Sequence, residues 1–110
     1  MCSYQTLFHN DETGYVIHCR GCNSVQVAYG NMLLTWHRED YSGFCRYVQQ
    51  MKDELPADYR PEHKSVVIPF PCDGIRILLS SRELHELYQM LDAAETELQS
   101  LELMQLFEQA

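Results

Sequence analysis

The sequence predicts an α+β fold, an antiparallel sheet of five or six strands packed with two helices. Three observations carry that expectation. The first 36 residues place β-branched and aromatic runs between turn signals. From Tyr41 the apolar residues switch to a spacing of three and four. A second strand pair then leads into a helical pattern with no Gly or Pro after Gly74.

Tyr4 to Phe8 reads as a short strand. Asn10-Asp11-Glu12-Thr13-Gly14 supplies turn chemistry, with side chains that bond their own backbone and a Gly free to take positive φ. Tyr15-Val16-Ile17-His18 suits a second strand. Val25, Val27 and Tyr29 alternate with Gln26 and Ala28, the period of a half-buried third strand. Gly30-Asn31 turns the chain into Met32 to Trp36. Tyr41, Phe44, Cys45, Val48 and Met51 then lie on one face of a helix from about Arg38 to Leu55, which Pro56 ends. On that face Cys45 reads as a small core residue.

Residues 54–63 read as an exposed loop joining two half-units, 1–53 and 64–110, of one domain. Ser65 to Phe70 is the next strand, Pro71-Cys72-Asp73-Gly74 a turn, and Ile75 to Leu79 the return strand. Ser80-Ser81-Arg82-Glu83 fits a capping box. The helix it opens can run to Phe107, about 40 Å, against a radius of gyration of about 13 Å for a compact chain of this size. The helix end is therefore expected to project or kink back. Leu33-Leu34-Thr35 before the first helix and Leu78-Leu79-Ser80 before the second echo one another, suggesting two β-hairpin–helix units.

Composition narrows the function. The net charge of −8, with no basic cluster, disfavours nucleic acid and anionic membranes as partners. Apolar runs reach about four residues, far short of the ~20 that span a bilayer. The N-terminal residues lack a basic start and an apolar stretch, so no export signal is expected. Five cysteines in such a chain read as cytoplasmic thiols or metal ligands.

The one motif with chemical spacing is Cys19-Arg20-Gly21-Cys22, set between two strands. Two thiolates at a hairpin tip can converge on zinc, and Asn23 after the second Cys tolerates the left-handed backbone such a knuckle needs. No second C-x2-C completes the site. The candidate further ligands are His9, if the hairpin turning at Asn10–Gly14 brings it beside the knuckle, then His18, Cys2 and Cys72. A redox pair has the same spacing but lacks a helix N-terminus to lower a thiol pKa. A plain turn with two ordinary thiols is the third reading.

No nucleophile–base pair, P-loop or G-x-G-x-x-G is present, and no catalytic residue is assigned. His37-Arg38-Glu39-Asp40 reads as a helix start, where acids complement the dipole. Leu84, Leu87, Leu91, Ala94, Leu98 and Leu101 form a seam with 3-4 spacing. Leu103, Met104, Leu106 and Phe107 widen the apolar surface at the tip. After Arg82 there are seven acids and no Lys or Arg.

Gly14 to Cys22, Val27 to Asn31 with the Leu-Leu-Thr run, and Leu-Leu-Ser-x-x-Glu-Leu before the last helix resemble a family of small uncharacterised bacterial proteins. The resemblance implies an α+β protein with the Cys19/Cys22 pair and brings no activity with it. The sequence thus points to a non-enzymatic interaction or regulatory domain, with a knuckle suited to structural zinc and a C-terminal helix that meets a protein partner or a second copy. The alternative is a thiol-based redox enzyme or sensor using Cys19 and Cys22. A third reading is an acidic decoy that binds a basic partner through the last helix.

Overall fold

The computed structural model describes residues 3–56, 60–70 and 72–109, the last without its side chain. Four strands, β1 (Tyr4–Asn10), β2 (Gly14–Cys19), β3 (Ser24–Tyr29) and β4 (Met32–His37), form one antiparallel meander in that order. Helix α1 (Arg38–Asp53) follows at once. Strands β5 (Lys64–Pro69) and β6 (Arg76–Ser80) make a separate hairpin, and α2 (Ser81–Gln109) closes the chain. Two helices and six strands are present, against an expectation of two helices and five or six strands, and the strands are divided between two sheets. A hairpin running straight into a helix occurs twice, as β3-β4-α1 and β5-β6-α2.

The turns form for local reasons. Asn10 Oδ1 accepts from the Glu12 and Thr13 amides at 2.8 and 3.2 Å, shaping the β1–β2 connection. Gly14 then lies at φ +145°, and a Cβ there would meet the Ala28 carbonyl oxygen at 1.9 Å. No side chain fits at this close approach of β2 to the backbone of β3. Gly30 takes φ +58° at the first position of the two-residue β3–β4 turn, as a type II′ turn requires. The capping box at α2 is formed: the Glu83 amide donates to Ser80 Oγ at 3.1 Å, and the Ser80 amide donates to Glu83 Oε1 at 2.8 Å.

One apolar core joins both sheets and both helices. Val16, Val25, Val27 and Leu34 come from the meander, Ile68, Ile77 and Leu79 from the hairpin. Tyr41, Phe44 and Val48 from α1 meet Leu84, Leu87, Leu91, Ala94 and Leu98 from α2. The 3-4 seam of α2 is therefore spent on this chain's own body. Burial desolvates the Tyr41 hydroxyl, which donates to the Leu91 carbonyl at 2.8 Å and is pushed far above its ordinary pKa. Burial likewise pushes the Cys45 thiol, on the α1 core side, up to about 12.

The molecule measures 50 × 28 × 25 Å, with a radius of gyration of 15.0 Å. The elongation comes from α2, whose 29 residues span about 43 Å. No helix among the described residues is long and apolar enough to cross a membrane.

Candidate functional site: the cysteine knuckle and the end of the long helix

The β2–β3 connection is a braced knuckle. Cys19 pairs with Ser24 in the ladder, leaving Arg20, Gly21, Cys22 and Asn23 in the loop. Asn23 adopts φ 54°, the left-handed backbone anticipated after the second cysteine. The Arg20 amide donates to the Ser3 carbonyl at 3.1 Å, and the Arg38 amide donates to the Asn23 carbonyl at 3.1 Å. The loop is thus held to the start of β1 on one side and to the start of α1 on the other.

Its side chains divide. Cys19 is fully buried, whereas Cys22 is exposed with its Sγ 3.0 Å from Ser24 Oγ. The His18 ring lies 2.9 Å from Asn23 Oδ1 through Nε2. Successive side chains in a strand leave opposite faces, so His18 sides with Val16 on the core face and Cys19 does not.

His9 is not brought to the knuckle. The β1–β2 register sets Tyr4 opposite Cys19 and His9 opposite Tyr15, four residues and about 13 Å from Cys19 along the ladder. There its Nε2 approaches Asp11 at 3.5 Å. Cys72 is exposed in the β5–β6 turn, and Cys2 lies outside the described residues. Among the described residues no group of three or more His, Cys, Asp or Glu side chains converges as metal ligands would.

Next to the knuckle lies a cluster that sequence reasoning missed. Arg38, the first residue of α1, donates from Nε to Glu102 at 2.9 Å and from Nη2 to Glu95 at 2.7 Å. Its Nη2 also reaches Glu102 Oε1 at 3.0 Å, and its Nη1 reaches Ser42 at 2.9 Å. Ser42 Oγ donates to the other Glu95 oxygen at 2.7 Å. The hydrogen bond from Arg38 holds the Glu102 carboxyl below the usual carboxylate range. Two carboxylates raise the Arg38 pKa further. The available signal was the seven-residue spacing of Glu95 and Glu102, which puts both on one helix face.

Arg38 marks where α2 leaves the body. Leu101 is still partly buried. Beyond it, Leu103 and Met104 are 55% exposed, Leu106 65% and Phe107 73%. At about 100° per residue, Leu103, Leu106 and Phe107 point roughly 140–240° away from Leu101. They form an apolar face turned away from this chain's own core.

The chain belongs to a family of unknown function, DUF6686, whose profile matches residues 1–108. No curated protein and no solved structure matched it.

Proposed function

We propose that this is a non-enzymatic interaction domain that self-associates through the outer face of α2 at its C-terminal end. The observation that carries the reading is the apolar set Leu103, Leu106 and Phe107, more than half exposed on the side of the helix away from the core. Among the described residues of one chain nothing covers that face. Burying the remaining surface of these residues and Met104 returns about 1–1.5 kcal/mol each, roughly 10 kcal/mol for a symmetric pair. Association costs about 4–15 kcal/mol before any contact is counted. At the low end of that cost about 6 kcal/mol remains, a dimer that forms and dissociates at tens of micromolar.

Sedimentation velocity over a hundredfold concentration range tests this. The wild type should pass from monomer to dimer, and the Leu106→Glu/Phe107→Glu variant should stay monomeric. Each copy carries −8, so added salt should tighten the dimer by screening repulsion. A basic partner held by the acids of α2 would show the opposite salt dependence. A wild type that remains monomeric at several hundred micromolar refutes the proposal.

The knuckle supports a second reading, structural zinc. The left-handed Asn23 directly after Cys22 supplies the tight reversal that a C-x2-C metal loop uses. Cys19 and Cys22 would be two ligands. The candidates for the other positions are His18 and Cys2, the latter outside the described residues. His18 would have to give up Asn23 to join them. Elemental analysis of protein purified without a metal-affinity tag decides it. One zinc per chain, lost with thermal stability in Cys19→Ser/Cys22→Ser, supports the site. No metal leaves a plain turn or a thiol redox pair, and the alkylation rate of Cys22 separates those two.

A further inference from the structure

A groove of about 490 Å³ runs between the meander and the β5–β6 hairpin. Consecutive residues Tyr29 to Leu34 line one side, and Ile75 to Leu79 the other. Both walls are strand edges: β4 ends the four-stranded sheet, β6 belongs to a two-stranded one, and no ladder joins them among the described residues.

The alternation of antiparallel pairs says which backbone groups point into this gap. Tyr29 and Met32 close a two-residue turn and so bond each other. Their neighbour Leu33, facing Ala28 in a non-bonded pair, turns its N–H and C=O away from β3. In the hairpin the Phe70 amide donates to the Ile75 carbonyl, which makes Arg76 and Leu78 the outward-facing residues of β6. Beside these backbone groups stand three exposed apolar side chains, Leu33 at 59%, Ile75 at 53% and Leu78 at 53%.

The charges at the groove select among occupants. Lys64 and Glu83 pair with each other. Arg76 is exposed and has no acidic partner among the described residues. The groove therefore offers one uncompensated cation in a chain whose net charge is −8.

We propose that this groove binds an extended polypeptide segment of a partner protein, added as a strand to the free edge of β4, with apolar side chains on Leu33, Ile75 and Leu78 and a carboxylate on Arg76. Unpaired edge amides recognise a backbone, alternating apolar contacts recognise its side chains, and Arg76 fixes the register. This site is separate from the α2 face and does not depend on self-association.

The first probe is a phage-displayed library of random ten-residue peptides, selected on the full chain. Fluorescein-labelled copies of the enriched peptides are then titrated by polarisation. Trp36, the only tryptophan, lies with its ring 5.8 Å from that of Phe70 and tilted 52° to it, and Phe70 lines the groove, so its emission reports occupancy independently.

Enriched peptides should alternate apolar residues and carry an acid. Arg76→Glu, at an exposed position, should weaken them about tenfold, and a Lys in place of the peptide's acid should recover the loss. Leu33→Pro removes an amide that β3 does not use, so a folded variant should bind about tenfold more weakly. Leu106→Glu/Phe107→Glu should bind as the wild type does.

Failure of the library to enrich any peptide overturns the proposal. So do peptides that bind Arg76→Glu as tightly as the wild type, or binding lost with the α2 variant instead. A wild-type dimer broken by Leu33→Pro would make the groove an interface between copies and would equally overturn it.

Discussion

Replacing Arg38 with Met tests the junction on which the long helix depends. The substitution keeps an apolar stem of similar length and removes the guanidinium that joins α1 to Glu95 and Glu102. The two carboxylates should respond differently. Glu95 has 14% of its side chain exposed, so its charge is left nearly buried, with Ser42 the donor that remains among the described residues. Stranding one member of a buried pair costs about 3–5 kcal/mol. Glu102 is 41% exposed, and water replaces most of what it loses, so its share is below about 1 kcal/mol. A loss near 3 kcal/mol follows. With an unfolding entropy of about 0.23 kcal/mol per kelvin for a chain of this length, Tm should fall about 13 °C. Circular dichroism melts and urea titrations at pH 7 measure it.

Acid supplies an independent signature. Arg38 lowers the folded-state pKa of Glu102 below the unfolded value of about 4.3, so the unfolded chain binds the proton first. The contribution is complete above the unfolded pKa and is lost as pH falls through the lower folded one. Wild type should therefore lose more stability between pH 5 and 3 than Arg38→Met does. Adding Glu95→Leu to Arg38→Met should restore much of the loss at pH 7, because the stranded charge is then gone. A loss under 1 kcal/mol at pH 7, with unchanged acid dependence, would refute the reasoning.

Two further outcomes can be measured. Gly14→Ala should cost at least about 3 kcal/mol or abolish folding, since its Cβ would overlap the Ala28 carbonyl. Gly74→Ala, with positive φ but nothing within 4 Å, should cost only the backbone strain of about 1–2 kcal/mol, and chemical denaturation of the pair compares them. Timed alkylation read by mass spectrometry should label exposed Cys72 well before Cys45, whose thiol is half-buried and pushed up to about 12; equal rates would mean that α1 opens readily from α2.

The features legible in the sequence were those set by neighbours along the chain. The Gly30-Asn31 turn, the capping box at Ser80 and Glu83, the left-handed Asn23 and the 3-4 period of α1 each follow from residues within a few positions of one another. What escaped was set by register and by contacts across the fold. His9 looked close to the knuckle because a hairpin brings its ends together. The ladder puts it at the turn end, while the knuckle lies at the far end beside Tyr4. Arg38 looked like one residue of a polar helix start. Its partners lie 57 and 64 residues away, and only the packing of α1 on α2 reveals them.

These two misses concern the same region, and together they revise what the knuckle does. Its loop is fixed by Ser3 on one side and by the first amide of α1 on the other. The side chain of that same Arg38 grips α2 at Glu95 and Glu102, the last anchored turn before the exposed apolar end. Knuckle, α1 start and α2 end are thus mechanically continuous, although more than 80 residues of sequence separate Cys19 from Glu102. A ligand, metal or oxidant that reshaped Cys19–Asn23 would move the Arg38 amide, and with it the grip on α2. It follows that alkylating Cys22 in the wild type should weaken the self-association proposed for α2, whereas alkylating it in Arg38→Met should leave whatever association remains unchanged. Sedimentation of the four samples measures that coupling directly, and equal weakening in both backgrounds would break the link between the knuckle and the helix end.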